Sequence, residues 1–125
     1  MKLNKLIYLL LIVVILIYQL LTGPTKEVDY SFRNEELLNE HYNNHGIEMG
    51  FSSKEEYEQA ANEVINNSSS LHKKEKEDND DVYYLEDTNE FVIVSKDGYI
   101  RTYFLPERGK DYYLGKWKNY LIILI

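Results

Sequence analysis

Four residues of this chain have types and spacings suited to chemistry. His41 and His45 lie one helical turn apart in HYNNHG, and Arg101 and Tyr103 lie two residues apart in YIRTYF. Histidine has a reference pKa of about 6.5, so it can take up or release a proton near neutral pH. The arginine fork donates two hydrogen bonds to a phosphate and stays charged. These residue types suit proton transfer beside a bound phosphate.

Each of these residues also has a simpler interpretation. His41 and His45 could be polar positions near a helix end, where a cation interacts favourably with the helix dipole. Arg101 could form an ion pair with an acid on a neighbouring strand. Most of the 12 tyrosines are expected to be ordinary strand residues.

A metal site is the third interpretation of HYNNH. Two histidines one turn apart can bind zinc, but the zincin pattern needs Glu directly after the first, and Tyr42 stands there. Glu48 is the nearest candidate for a third ligand. The acidic run EKEDNDD lacks EF-hand spacing and is interpreted as a solvated loop. We therefore expect no metal and no cofactor.

These residues must be positioned by the rest of the domain. Its sequence pattern predicts an α+β fold, in which two helices pack on a small antiparallel meander. Asn34 is a plausible N-cap of the first helix and Gly46 its C-terminal stop. Ser53 and Glu56 form a capping box at the start of the second. SSSLHKKEKEDNDD is then interpreted as a loop, and three strands follow in DVYYLE, EFVIVS and YIRTYFLP.

The dipeptide Asp97-Gly98 predicts a two-residue type I′ hairpin between the last two strands. That turn would place Val94 opposite Arg101. One face of the sheet would then contact the helices, and the other would be open to water. The predicted core face holds Phe91, Ile93, Ile100, Thr102 and Phe104. The predicted wet face holds Val92, Val94, Tyr99, Arg101 and Tyr103.

The N-terminal segment predicts a membrane anchor. The run from Leu6 to Leu21 has no charge and is close to the roughly 17–25 residues that span a bilayer. A cleaved signal peptide is the alternative, but no small-residue cleavage site is evident. Lys2 and Lys5 precede the run, which predicts a single-pass protein whose C-terminal domain lies outside the cytoplasm. The predicted parts are an anchor at 1–23, a tether at 24–32 and a domain at 33–125, ending in a strand at 119–125.

Charge and cysteine content limit the classes of function. The part after residue 24 has 21 acids against 12 Lys and Arg, a net charge of −9. A nucleic-acid-binding protein normally has a basic face, so a phosphate site would have to be built locally. The chain has no cysteine, which excludes disulfides and thiolate chemistry.

Three segments in order carry a family resemblance: HYNNHGIEMG, SSKEEYEQAA and TNEFVIVSKDGYIRTYF. Over residues 34–113 the chain resembles the phage and polymorphic-toxin branch of the barnase, EndoU, colicin and RelE-like nucleases. That resemblance implies a barnase/RelE-like domain with a helical N-terminal part and a twisted antiparallel sheet. The aliphatic tail, the acidity and the anchor depart from the family pattern.

The resemblance also implies candidate catalytic residues. Many members are metal-independent ribonucleases in which a helix histidine and groups on the sheet act on the scissile phosphate. The matching positions are His45, with His41 as a second histidine, and Arg101, Thr102 and Tyr103.

Two functions follow as hypotheses. The first is a membrane-tethered, toxin-type ribonuclease facing outward, whose substrate is RNA. The second is a catalytically inactive module of the same fold that binds a protein partner, which could be an immunity protein. Acidity favours the second hypothesis, and the co-occurrence of His45 with Arg101 and Tyr103 favours the first.

Overall fold

The computed structural model describes residues 2–23 and 27–115 and has an α+β architecture, as predicted. A π-helical turn, Tyr42–Gly46, continues α2. The helices are α1 (Lys2–Leu21), α2 (Glu35–His41), α3 (Lys54–Asn66) and α4 (Lys110–Leu114), and the strands are β1 (Ser31–Phe32), β2 (Leu71–Lys74), β3 (Asp81–Leu85), β4 (Glu90–Val94) and β5 (Tyr99–Phe104).

The N-terminal helix α1 is long and apolar enough to cross a membrane. Its stretch Leu3–Leu21 has 19 residues and a mean hydropathy of 2.2. At about 1.5 Å per residue, 19 residues extend for about 28 Å, close to the thickness of a bilayer core. A signal sequence has the same length and composition, so both interpretations of the segment agree with the helix.

Both predicted helix starts are confirmed. The side chain of Asn34 accepts a hydrogen bond from the backbone N–H of Leu37 at 2.8 Å. The Ser53 hydroxyl accepts one from the N–H of Glu56 at 3.2 Å. Each cap satisfies one of the amide groups that the first helical turn leaves unpaired.

Gly46 is not the C-terminal stop that the sequence predicted. The helix continues through Gly46 as the π-helical turn, and the left-handed glycine that follows is Gly50, at φ +94°. Gly46 is buried, and a Cβ there would lie 2.4 Å from the Tyr42 ring and 3.0 Å from the Tyr57 ring. Close packing, rather than backbone conformation, explains glycine at this position.

The three predicted strands are confirmed as β3, β4 and β5, within a five-stranded sheet of order β1-β5-β4-β3-β2. The loop prediction for SSSLHKKEKEDNDD is wrong at Leu71–Lys74, which pairs antiparallel with β3 as β2. β2 is a largely exposed edge strand, so the hydrophobic alternation that reveals a half-buried strand is missing from it.

The predicted register between β4 and β5 is wrong by one residue near the turn. Ser95 N–H bonds to the Tyr99 carbonyl at 2.7 Å, so three residues form the loop, with Gly98 at φ +90°. Val94 therefore pairs with Ile100 instead of Arg101. A β-bulge then restores the predicted pairing of Ile93 with Thr102, and Arg101 is the extra residue.

The predicted core and wet faces are also exchanged beyond the bulge, whereas near the turn Ile100 is buried and Tyr99 and Arg101 are exposed, as predicted. The face predicted to be wet packs against α3: Val92 and Tyr103 are fully buried, and the Tyr103 ring stacks on Tyr57 with centroids 5.0 Å apart. The opposite face is covered by α4, where Tyr112 contacts Phe91. Both faces are apolar, so alternation along the strands could not reveal which one the helices cover.

Residues 28–32 are attached to the sheet and to α3. The side chain of Asn66 bonds to both the N–H and the carbonyl of Val28, and Asn62 does the same for Tyr30. β1 pairs parallel with the start of β5. A parallel edge strand two residues long has too few residues to show a sequence pattern.

The end of the described chain is helical. α4 ends at Leu114, and the residue that caps it, Gly115, has φ +73°. The predicted strand at 119–125 lies outside the described residues. Tyr112 and Tyr113 belong to α4.

Candidate functional site

A cleft of about 760 Å³ lies between the end of α2, the start of β5 and the β2–β3 loop. His41 reaches it from α2, Arg101 from the bulge of β5, and Arg33 from the residue after β1. Asp80 and Asp97 approach it from two loops. The chain thus brings a histidine and two arginines together, with carboxylates beside them.

Arg101 is held by two acids of the β2–β3 loop. Its Nη1 atom lies 2.5 Å from Asp80 Oδ2 and 3.9 Å from Asp78 Oδ2. Arg101 therefore forms an ion pair, as the simpler interpretation predicted, but its partners lie in a loop and not on a neighbouring strand. The Asp80 side chain is only 5% exposed, so the solvated-loop prediction is wrong for this residue. Nothing in the run EKEDNDD distinguishes Asp80 from its neighbours, because its burial depends on the partner supplied by β5.

Arg33 is a second cation of the cleft that sequence reasoning missed. Its guanidinium donates to both carboxylate oxygens of Asp97 at 2.9 Å and lies 4.4 Å from the centre of the Tyr99 ring. A hydrogen bond from the Ser95 hydroxyl, and then the one from Arg33, lower the pKa of Asp97. Only the parallel pairing of β1 with β5 brings Arg33 to this position.

His41 is the histidine that shares the cleft with Arg101. Its ring lies 5.1 Å from Phe32 and 6.0 Å from His45, and its buried Nδ1 has no hydrogen-bond partner. Burial, and then the proximity of His45, lower the pKa of His41, while Glu40 opposes the shift. The imidazole is therefore held neutral near pH 7, as a proton acceptor must be.

His45 lines a neighbouring cavity of about 290 Å³ instead of the cleft of Arg101. There its ring lies 5.7 Å from Phe104. The sequence ranked His45 ahead of His41, but only His41 lines the cleft that holds Arg101. Because the His45 ring lies 6.0 Å from the His41 ring, His45 is next to the cleft.

Tyr103 does not point into the cleft with Arg101, because the bulge separates their directions. Tyr103 is fully buried, and its hydroxyl donates to a Glu90 carboxylate oxygen. Burial, and then Glu90, raise the pKa of Tyr103. Thr102 is half-buried opposite Ile93, on the other face of the sheet from Tyr103. The catalytic roles of both residues stay predictions.

Carboxylates outnumber cations in the cleft. Three basic residues and four acids line it, so with His41 neutral the net charge of these groups is −1. The bases are Arg33, Lys96 and Arg101, and the acids are Glu77, Asp78, Asp80 and Asp97. A phosphate would have to displace a carboxylate or use the arginine donors that the acids leave free.

One group of acids near the cleft has oxygens close enough together to hold a metal ion. Carboxylate oxygens of Glu75, Asp78 and Asp80 lie within 4.8 Å of one another. The guanidinium of Arg101 already contacts two of these three acids and supplies the compensating positive charge. The group differs from the HYNNH and Glu48 set that the sequence offered as a metal alternative.

The lowered pKa of His41 predicts a pH-dependent stability. The unfolded chain, with a histidine pKa of about 6.5, takes up this proton more readily than the folded domain. The contribution of neutral His41 to the free energy of unfolding is therefore complete above about pH 6.5. It is lost as the pH falls towards the lower pKa of the folded state. We expect the urea midpoint of the wild type to fall more between about pH 7 and pH 5 than that of His41→Gln. Parallel pH profiles of the two proteins would contradict this.

Comparisons with solved structures find chains similar to this one. No family model matches the chain, and no curated protein matches it. The domain is similar to a chain in a solved structure described as a ribonuclease from Escherichia coli in complex with its inhibitor protein. The identity is 19%, the TM-score is 0.49, and the match covers 60% of this chain and 93% of that one. A similarity of this size does not identify a function.

Proposed function

We propose that the domain is a metal-independent, toxin-type endoribonuclease in which His41 is the general base and Arg101 binds the scissile phosphate. One observation carries the proposal: His41, which burial holds neutral near pH 7, lines the same cleft as Arg101. The sequence resemblance to barnase and RelE-like nucleases agrees with it. His45, adjacent to His41, is the candidate general acid.

The proposed reaction needs no group that the chain lacks. His41 takes the proton of the ribose 2′-hydroxyl, and the 2′-oxygen attacks phosphorus. Arg101 stabilises the negative charge that builds up on the phosphate oxygens. His45 gives a proton to the departing 5′-oxygen, which leaves a 2′,3′-cyclic phosphate and a 5′-hydroxyl. After the step His41 holds the proton of the 2′-hydroxyl and His45 has lost one, so His41 releases its proton to water and His45 takes one up from water.

The paired arginine is compatible with phosphate binding. Both acids contact Nη1 of Arg101, and the side chain is 53% exposed. A guanidinium has five N–H donors, so the edge away from Nη1 can still bind a phosphate. Asp80 would then fix the direction in which that edge points.

We further propose that α1 tethers the domain, 33–125, to the outer side of a membrane. Lys2 and Lys5 lie at the start of α1, before its uncharged run from Leu6, whereas Lys26 after the helix is offset by Glu27 and Asp29. A reporter active only in the cytoplasm, fused to Ile125, should then give no signal. Release of a shortened soluble chain into the medium would mean that the segment is a cleaved signal peptide.

A second candidate function has its own observation. Both arginines of the cleft are paired with acids, and acids outnumber bases there. A catalytically inactive module that binds a protein partner, such as an immunity protein, would have this charge distribution. It predicts no RNA cleavage under any condition.

The test uses the full chain in detergent, incubated with mixed RNA in the presence and absence of EDTA. Cleavage should occur in both, with products ending in cyclic phosphate. Arg101→Lys keeps the charge but loses the fork, so turnover should fall well below that of the wild type. No cleavage by a folded wild type would favour the inactive binding module, and loss of cleavage with EDTA would contradict the metal-independent mechanism.

A further inference from the structure

We propose that the two acids on Arg101 have opposite effects: Asp80 positions the guanidinium for catalysis, whereas Asp78 competes with the substrate phosphate. This inference rests on the proposed ribonuclease function. It follows from the unequal burial and distance of two carboxylates that contact the same nitrogen, Nη1.

Asp80 has the properties of a positioning residue. Its carboxylate is 5% exposed and lies 2.5 Å from Nη1 of Arg101. The backbone around it is held by hydrogen bonds from Glu75 N–H to the Asp80 carbonyl at 2.9 Å and from Asn79 N–H to the Glu75 carbonyl at 3.0 Å. A buried charge on a fixed backbone holds its partner in one orientation, because leaving either charge unpaired is costly.

Asp78 has the properties of a competitor. Its carboxylate is 59% exposed and lies 3.9 Å from the same nitrogen, at the limit of an ion pair. An exposed pair of this length contributes little to stability. Its competition is electrostatic, because a carboxylate at this distance offsets part of the guanidinium charge and repels a phosphate that binds the edge away from Nη1.

Removing the charge of Asp80 should therefore lower turnover without weakening binding. Asp80→Asn keeps the shape of the side chain but loses the charge-assisted bond that orients Arg101. We expect kcat to fall on the order of 10²-fold, the cost of misplacing a group that acts on the transition state. Affinity for a non-cleavable RNA that carries a 2′-deoxy substitution at the cleavage site should stay the same or rise, because a negative charge is gone.

Removing the charge of Asp78 should strengthen RNA binding without lowering turnover. Asp78→Asn should bind the same non-cleavable RNA about two- to fivefold more tightly, the range expected for one exposed ionic contact, and should keep the kcat of the wild type. Asp87→Asn is the matched control, since Asp87 is exposed in the β3–β4 turn, at the opposite end of β3 from Asp78 and Asp80, and does not line the cleft. It makes the same change in net charge and should alter neither quantity.

The readouts separate this inference from the proposed function. Fluorescence anisotropy gives the affinity, single-turnover cleavage gives the rate, and the unfolding midpoint shows that each variant folds. A wild type that neither binds nor cleaves RNA overturns both proposals. A wild type that cleaves, with kcat of Asp80→Asn within twofold of it or with Asp78→Asn binding no tighter, overturns this one alone. If Asp80→Asn does not fold, Asp80→Glu, which moves the carboxylate by one methylene, should show the same loss of kcat.

Discussion

Replacing His41 with alanine should lower RNA cleavage by about 10²–10⁴-fold, the usual contribution of a proton-transfer group. His41 lines the cleft of Arg101, and its lowered pKa keeps the imidazole neutral near pH 7, so that it can accept a proton. The expected loss is in kcat, because the base acts in the transition state. Single-turnover cleavage by the full chain in detergent measures it.

A third histidine is the control for this variant. His72 lies on the exposed edge strand β2 and pairs with Asp81 at 2.7 Å, outside the cleft. His72→Ala should keep the cleavage rate of the wild type. His45→Ala should also lower cleavage if His45 is the general acid. Cleavage that survives His41→Ala in a folded protein would mean that His41 is not the base.

Replacing Tyr103 with alanine should destabilise the domain by about 3–5 kcal/mol, the usual cost of deleting a large buried side chain. Tyr103 is fully buried, and its ring lies 5.0 Å from Tyr57 and 6.0 Å from Phe51. Its removal leaves a cavity between α3 and the sheet. A loss of this size is a large part of the roughly 5–15 kcal/mol that stabilises a small domain. Urea unfolding followed by near-UV circular dichroism measures the change.

Tyr103→Phe separates packing from chemistry. It keeps the ring and removes only the hydroxyl that donates to Glu90, so it should cost about 0.5–1.5 kcal/mol. If Tyr103 acts only in the core, this variant should cleave RNA like the wild type. A large loss of cleavage by stable Tyr103→Phe would support the catalytic role that the resemblance implies. A cost below about 1 kcal/mol for Tyr103→Ala would contradict its place in the core.

Local features of this fold could be predicted from the sequence. The caps at Asn34 and Ser53 each involve a hydrogen bond between residues three apart, so the sequence contains both partners. The apolar face of α3 and the strands β3, β4 and β5 also follow from patterns within a few residues. The α+β class and the apolar helix α1 result from these local signals.

The site depended on contacts between distant segments. One additional residue in the β4–β5 loop moved Arg101 onto a bulge and separated it from Tyr103, and an Asp-Gly pair is compatible with either loop length. Asp80 became buried because β5 supplied its partner, and Arg33 reached the cleft because β1 joined the far edge of the sheet.

The two histidines show the same difference between what local sequence predicts and what distant contacts decide. Their spacing in HYNNH predicted that they would be neighbours, and their rings do lie 6.0 Å apart. Their separate surroundings, Arg101 for His41 and Phe104 for His45, depend on how α2 and its π-helical turn pack along β5. The sequence alone determined which residues could perform the chemistry, because residue type and helical spacing are local. The tertiary structure decided which of them meet, because His41 and Arg101 lie 60 residues apart along the chain (101 − 41) and only the packing of α2 beside β5 brings them to one cleft.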